Sequence, residues 1–274
     1  MIQAFRIDRS QEAAYGRDLA RAFGGALLFT VPLLMTMEMW QLGLYLDGRH
    51  LTVFLLAALP LLFGLARYAG FSEDRGLLAD VFDMLAALAV GFITAAGLLV
   101  ALNALQIGAT GGQMLAQITL QAVPGALGAL LARRQLGEAT DADRDARATY
   151  PGELFLMVAG ALFLGLNVAP TEEVILIAFR ATPWHTVALV LLSLGLMHII
   201  VYQAGFAGQE EQGQPLTAFF HFTLAGYGLV LLVCALLLWI FGRAEGQALA
   251  PLVSMTVVLA FPASIGAAAA RLLV

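Results

Sequence analysis

The stretch MLAALAVGFITAAGLLVA at residues 84–101 runs for eighteen residues without a charged side chain. A helix needs about 20 apolar residues to cross the hydrocarbon core of a bilayer, which is about 30 Å thick. Strands of a membrane barrel are shorter and alternate polar with apolar side chains, and this stretch does not alternate. The stretch therefore predicts a transmembrane α-helix.

The rest of the chain has the same character, since 61% of its 274 residues are hydrophobic and only 12% are charged. Soluble domains are only about 45–50% apolar, so this is not the composition of a water-soluble fold. The predicted fold class is all-α, a polytopic membrane protein with about eight transmembrane helices. Apolar runs bounded by charge, glycine or proline place these helices at about residues 20–45, 51–69, 79–104, 113–133, 153–179, 184–206, 216–241 and 250–273.

Several classes of function do not fit this sequence. The net charge of −5 gives no basic surface for nucleic acid. The one cysteine, Cys234, lies in an apolar run, so neither a disulfide framework nor a thiolate metal cluster is expected. Motifs of hydrolases, of phosphate-binding loops and of zinc sites are absent, and we therefore expect no enzyme activity and no cofactor.

The arginines are divided unequally between the two sides of the predicted bundle. All fourteen basic residues are arginine, and only Arg49, Arg180 and Arg243 lie on the side opposite the two termini. Basic residues in short loops stay on the cytoplasmic side of a membrane. We therefore expect a bacterial inner-membrane protein with both termini in the cytoplasm and a cytoplasmic linker at residues 134–150.

A shift of 135 residues superposes parts of the two halves of the chain. The Thr-x-Glu at 36–38 falls on the Thr-x-Glu at 171–173, and the Ala-Gly-Phe at 69–71 falls on that at 204–206. After a three-residue insertion the match continues, with Pro124, Gly128 and Arg133 falling on Pro262, Gly266 and Arg271. The pattern predicts two parallel four-helix repeats, residues 1–133 and 151–274, related by an axis along the membrane normal.

Glu38 and Glu173 occupy equivalent positions in these repeats, each about two-thirds of the way along its predicted helix. A carboxylate inside a membrane helix is costly and marks a candidate functional site. Carboxylates that share a low-dielectric site cannot all stay charged unless they hold a cation. We therefore expect both acids to bind a proton or a small cation of unspecified identity, with Glu172, Thr36 and Thr171 supplying further oxygens. In the alternative interpretation, the acids lie near the outer interface and serve only packing.

Glutamines in the fourth predicted helix form a second candidate feature. Gln113, Gln117 and Gln121 are four residues apart, so their amides form a polar stripe along one helix face. An amide in hydrocarbon needs a partner, so this face should look toward other helices or toward water. The stripe could line a pathway, or it could bond neighbouring helices together.

Four further polar residues lie within predicted helices. His198 and His221 could relay protons, or they could be hydrogen-bonded packing residues. Asp80 and Asp83 share one face at the start of the third helix, where a solvated helix start is the simpler interpretation and Asp83 remains a candidate for the pathway.

Three short segments, Gly-Ala-Leu at 25–27, Thr-x-Glu at 36–38 and Ala-Gly-Phe-Ser at 69–72, carry a resemblance over nearly the whole chain. By these segments the chain resembles a family of bacterial integral membrane proteins of unknown function. The resemblance implies a multi-pass membrane protein, and it assigns a role to no residue.

Together these features predict a secondary transporter or channel for a small cation, with proton coupling and with Glu38 and Glu173 at the ion site. The alternative is a non-transporting accessory or structural membrane protein. The expected partners are the lipid bilayer, a small cation or proton, and further copies of the chain.

Overall fold

The computed structural model describes residues 9–69, 76–105, 108–136, 150–204 and 219–272. Within these ranges there are ten α-helices and no strand, which confirms the all-α class. The helices are α1 (Arg9–Leu34), α2 (Met37–Tyr45), α3 (Gly48–Ala69), α4 (Leu77–Ala101), α5 (Gly111–Leu136), α6 (Tyr150–Val168), α7 (Glu172–Arg180), α8 (Pro183–Ala204), α9 (Ala225–Ile240, preceded by a π-helical turn at Phe219–Leu224) and α10 (Leu249–Leu272).

Seven of these helices are long and apolar enough to cross a membrane, and the pair α1 and α2 makes up to eight if it is counted as one span. All eight predicted runs therefore correspond to helical elements. Two of the runs were predicted wrongly as single helices, because each contains a break. The first is bent by 82° between Leu34 and Met37, and the fifth is interrupted between Val168 and Glu172.

Proline accounts for much of both interruptions. Pro32 has no backbone N–H to give to the preceding turn, and α1 ends two residues later. Pro170 lies two residues after the end of α6 and disfavours the helical conformation at Ala169. The apolar side chains continue on either side of each break, so hydropathy alone merges the two pieces.

Two helices form the centres of the two halves of the molecule. In the first half, α1 to α5, helix α5 packs against the other four, and in the second half, α6 to α10, helix α10 does the same. Small residues allow helices to approach this closely in a membrane. A β-carbon added to Gly25 of α1 would lie 2.2 Å from the carbonyl oxygen of Gly128 on α5, and one added to Gly160 of α6 would lie 2.2 Å from that of Gly266 on α10.

Aromatic rings and a cavity with an apolar wall lie between the halves. The ring centroids of Phe29 on α1 and Phe163 on α6 lie 4.0 Å apart. Those of Phe54 on α3 and Phe241 at the end of α9 lie 6.3 Å apart. A cavity of about 160 Å³ lies between α3, α5, α6 and α9. Its wall is apolar and includes Phe54, Leu127, Leu162, Leu166, Val233 and Leu237.

Both helix breaks lie at one end of the bundle, which we call the bend end. There the start of α5 contacts the end of α2. The hydroxyl oxygens of Thr186 on α8 and Ser254 on α10 lie 3.4 Å apart at the same end. The start of α1 and the last turns of α5 and α10 lie at the opposite end, which we call the termini end.

Candidate functional site

The first break places a glutamate at the start of a short helix. Thr36 is the extended residue that precedes α2, with φ −93° and ψ 120°, and its hydroxyl donates to the carbonyl oxygen of Leu33 at 2.7 Å. Glu38 lies in the first turn of α2 and is half-buried. A carboxylate in this position is stabilised by the positive end of the helix dipole.

The second break has the same local structure. Thr171 precedes α7 with φ −75° and ψ 152°, and its hydroxyl donates to the carbonyl oxygen of Val168 at 2.8 Å. Glu172 and Glu173 lie in the first turn of α7 and are both exposed. Arg243, in the loop before α10, donates to the carbonyl oxygen of Pro170 and so binds the freed backbone of this break.

The prediction that the glutamates lie within continuous helices is wrong. Both were expected two-thirds of the way along a continuous helix, whereas each lies in the first turn after a break. By length and apolar composition, the part of α1 from Gly16 to Leu34 qualifies as a membrane span only together with α2. Glu38 does not join Glu172 and Glu173 in a metal-binding group, since the described residues contain no cluster of three or more His, Cys, Asp or Glu able to hold a metal ion.

Two of the three glutamines in the stripe bind α2 to α5. Gln113 Nε2 donates to the carbonyl oxygen of Leu44 at 2.9 Å, and Gln117 Nε2 donates to that of Trp40 at 2.9 Å. Gly43 lies so close to α5 that an added β-carbon would be 2.5 Å from the backbone nitrogen of Gln117. For these two amide groups, bonding between helices is the observed role.

Gln121, one turn deeper along α5, is different. Its side chain is 0% exposed, and neither its oxygen nor its nitrogen has a hydrogen-bond partner in the described part of the chain. The same holds for the oxygen of Gln117 and for the hydroxyls of Thr30 on α1 and Thr94 on α4. We call Thr30, Thr94, Gln117 and Gln121 the buried polar cluster.

Helix geometry places the residues of this cluster in neighbouring turns of packed helices. A β-carbon on Gly125 would lie 2.8 Å from the hydroxyl oxygen of Thr30 and 3.2 Å from Cα of Gly91. Thr94 is one turn beyond Gly91 on α4, and Gln121 is one turn before Gly125 on the antiparallel α5. The two threonines and Gln121 therefore lie in adjacent turns of three packed helices.

The second half has apolar residues at the equivalent places on its central helix. The residues 138 positions after Gln117 and Gln121 are Met255 and Leu259, and both are fully buried. A side chain of similar size without polar atoms therefore fits this position of the bundle. Packing alone does not account for an amide at Gln121.

The aspartates at the start of α4 are less solvated than predicted. Asp80 is only 3% exposed, and its Oδ2 accepts a hydrogen bond of 3.0 Å from Nη1 of Arg67. The expectation of a solvated helix start is therefore wrong for Asp80, because the end of α3 brings an arginine beside it. Asp83 is half-buried on the following turn.

The two histidines have contacts at the termini end. His198 Nδ1 lies 3.0 Å from the hydroxyl oxygen of Thr223 in the π-helical turn. His221 is exposed, and its backbone carbonyl oxygen accepts a hydrogen bond of 2.8 Å from the Tyr150 hydroxyl. These contacts join α8 and α6 to the start of the seventh membrane-spanning run.

A polar contact at the bend end was not predicted. His50 is buried, its Nε2 lies 3.3 Å from Oε1 of Glu245, and its ring meets the edge of Trp239 at 4.7 Å. Beside it, hydrogen bonds from the backbone N–H and the guanidinium of Arg49 hold the pKa of Asp47 below its usual value. No sequence spacing points to a contact between residues 50 and 245, because the fold alone brings them together.

Comparison with known proteins identifies a family. No curated protein and no solved structure matches the chain. A family model described as "Putative integral membrane protein (DUF2391)" matches residues 18–274, which confirms the resemblance seen in the sequence. That description names a location in the membrane and no activity. The chain belongs to this family of integral membrane proteins.

Proposed function

We propose that this protein is a transporter or channel for a small cation, with its path through the first half of the chain. The observation that carries the proposal is the fully buried amide of Gln121, whose two polar atoms have no partner among the described residues. Leaving such a group unpaired costs about 1–3 kcal/mol for each polar atom. Polar groups that persist inside a membrane at such a cost usually mark a pathway.

The polar residues of α2 and α5 support a route from the bend end. Glu38 lies in the half-buried first turn of α2, two residues before Trp40, whose carbonyl oxygen binds Gln117. Gln113 and Gln117 attach α2 to the outer turns of α5, and Gln121 follows one turn deeper. A carboxylate at the mouth of a low-dielectric path raises the local concentration of cations.

The other predicted oxygens contribute to this proposal in different ways. Glu172 and Glu173 add negative charge at the same end of the bundle but are exposed. The hydroxyls of Thr36 and Thr171 donate to backbone carbonyls, so their main role is to shape the two breaks.

The organisation and orientation of the chain belong to the same proposal. Residues 1–133 and 151–274 are proposed to be parallel repeats, supported by the equivalent breaks at Thr36 and Thr171 and by the equivalent contacts of Gly25 and Gly160. The arginine distribution supports a bacterial inner membrane with both termini in the cytoplasm. The mouth at the bend end would then face outward.

A second candidate is a non-transporting accessory membrane protein. Specific observations favour it: Gln113 and Gln117 donate to α2, and the cavity between the halves has an apolar wall. In this case Glu38 and Glu173 would serve only to cap their helices.

Replacing Glu38 with glutamine distinguishes the two candidates. The substitution keeps size and hydrogen-bonding capacity but removes the negative charge at the mouth. Cation flux into proteoliposomes at low salt should fall by up to roughly tenfold, because the charge no longer concentrates the ion. The difference in flux between the variant and the unmodified chain should become smaller at higher salt, because salt screens the charges.

The matched variants are Glu172→Gln and Glu173→Gln, which remove exposed charges at the other break. They should lower flux less than Glu38→Gln, because exposed charges are well screened. If all three variants keep the flux of the unmodified chain at low salt, the acids have no part in transport. If the unmodified chain itself gives no cation flux, the accessory function becomes the better account.

A further inference from the structure

We propose that the buried polar cluster binds water molecules inside the membrane, and that the cation which passes along it is the proton. The water site stands on the structure of the cluster alone. The assignment of the proton rests on the proposed transport function.

The amide nitrogen and oxygen of Gln121 determine which ligand can bind beside them. Its Nε2 is a donor that needs an acceptor, and its Oε1 is an acceptor that needs a donor, and both lack partners in the described ranges. A bare metal cation could satisfy only the oxygen and would be repelled by the amide N–H groups. A water molecule donates and accepts, so it satisfies both atoms.

The remaining atoms of the cluster have the same requirement. The hydroxyls of Thr30 and Thr94 can each donate and accept, and the oxygen of Gln117 accepts. Five polar atoms from these four residues would then be shared by two or more waters, since a buried water usually makes about three hydrogen bonds. Without such partners their combined cost would be comparable to the whole stability of a domain.

The cluster contains no carboxylate, and this limits which cation can move along it. Hard divalent cations prefer charged oxygen ligands, and alkali cations shed water readily only where a ring of carbonyls replaces their hydration shell. A proton needs neither charged oxygen ligands nor a ring of carbonyls. It passes from one hydrated oxygen to the next as one O–H bond breaks and another forms, so no atom is consumed and only the charge moves.

The second half provides an internal comparison. Met255 and Leu259, at the positions equivalent to Gln117 and Gln121, offer no hydrogen-bonding groups of comparable strength. This water site is therefore placed beside α5 and not at the equivalent position beside α10. A substitution of Gln121 by leucine copies the residue that the second half already holds in a buried position.

The test uses the full chain in proteoliposomes and compares it with Gln121→Leu. Proton flux is followed with an internal pH dye under an imposed pH gradient, in buffer whose only cation besides the proton is a bulky organic amine. Bound water is followed in the same samples by radiolytic hydroxyl-radical labelling in ¹⁸O-water, read by mass spectrometry of α5. Thr94→Val is a second variant, Leu259→Met is the control, and melting temperatures confirm that each variant is folded.

We expect proton flux and internal labelling for the unmodified chain and for Leu259→Met. Both signals should fall by roughly tenfold or more in Gln121→Leu, and Thr94→Val should lower them in the same direction. Labelling that depends on Gln121 without flux of any cation would support the water site and overturn the transport function. Flux of sodium or potassium but not of protons would support the transport function and would overturn the assignment of the proton as the transported cation. Labelling that is absent at α5, or unchanged by Gln121→Leu, would overturn the water site itself.

Discussion

Replacing Gly25 with alanine is expected to destabilise the folded protein by about 3 kcal/mol, at the upper end of overpacking effects. The added β-carbon would lie 2.2 Å from the carbonyl oxygen of Gly128 and 2.3 Å from the β-carbon of Ala132. Neither atom belongs to the far end of a flexible side chain, so α1 and α5 would have to move apart. The loss should appear as a lower melting temperature of the purified protein in nanodiscs.

The neighbouring glycine is the matched control. A β-carbon on Gly24 has no atom within 4 Å, so Gly24→Ala should be neutral or stabilise α1 by up to about 1 kcal/mol through helix propensity. Gly160→Ala should reproduce the loss in the second half, because Gly266 faces it at the same distance. Equal melting temperatures for Gly24→Ala and Gly25→Ala would contradict the close contact of α1 with α5.

Replacing Gly91 with alanine should cost far more than the same change at Gly226, which lies 135 residues later. A β-carbon on Gly91 would lie 2.3 Å from the carbonyl oxygen of Ala122 and 2.8 Å from the backbone nitrogen of Ala126. A β-carbon on Gly226 meets the terminal methyl groups of Met157 and Met197 at 2.3 and 2.8 Å. Methionine ends can rearrange, whereas a helix backbone cannot.

We therefore expect a loss of about 3 kcal/mol for Gly91→Ala and under about 1 kcal/mol for Gly226→Ala, measured by chemical unfolding in a mild detergent. Gly91→Ala should also lower cation flux, because it displaces α4 and with it Thr94. A larger loss for Gly226→Ala than for Gly91→Ala would mean that the packing of α4 on α5 differs from the one described.

Hydropathy was enough to predict the helices, and local chemistry was needed to predict their ends. Residues 20–45 read as one run because apolar residues continue past Thr36 on both sides. The Thr-x-Glu pattern, a capping residue followed by an acid in the first turn, is itself a signal for the start of a helix. It was interpreted as an acid within a helix, and so the breaks before Glu38 and Glu173 were missed.

The polar cluster could be predicted only in part. Gln117 and Gln121 stand out because an amide is rare in a membrane helix and their spacing puts them on one face. Thr30 and Thr94 carry no such signal, because a threonine can satisfy its hydroxyl on its own helix backbone. Their place beside Gln121 follows from the glycine contacts of α5 with α1 and α4, which depend on tertiary packing.

Proton flux through the purified chain is the most direct test of the proposed path. Proteoliposomes with increasing amounts of protein per lipid are given a pH gradient, and the internal pH is followed over time. The predicted result is a rate that rises in proportion to the protein content and returns to the rate of protein-free vesicles when Gln121 is leucine. A rate equal to that of protein-free vesicles at every protein content, for this and for every other small cation, would contradict it.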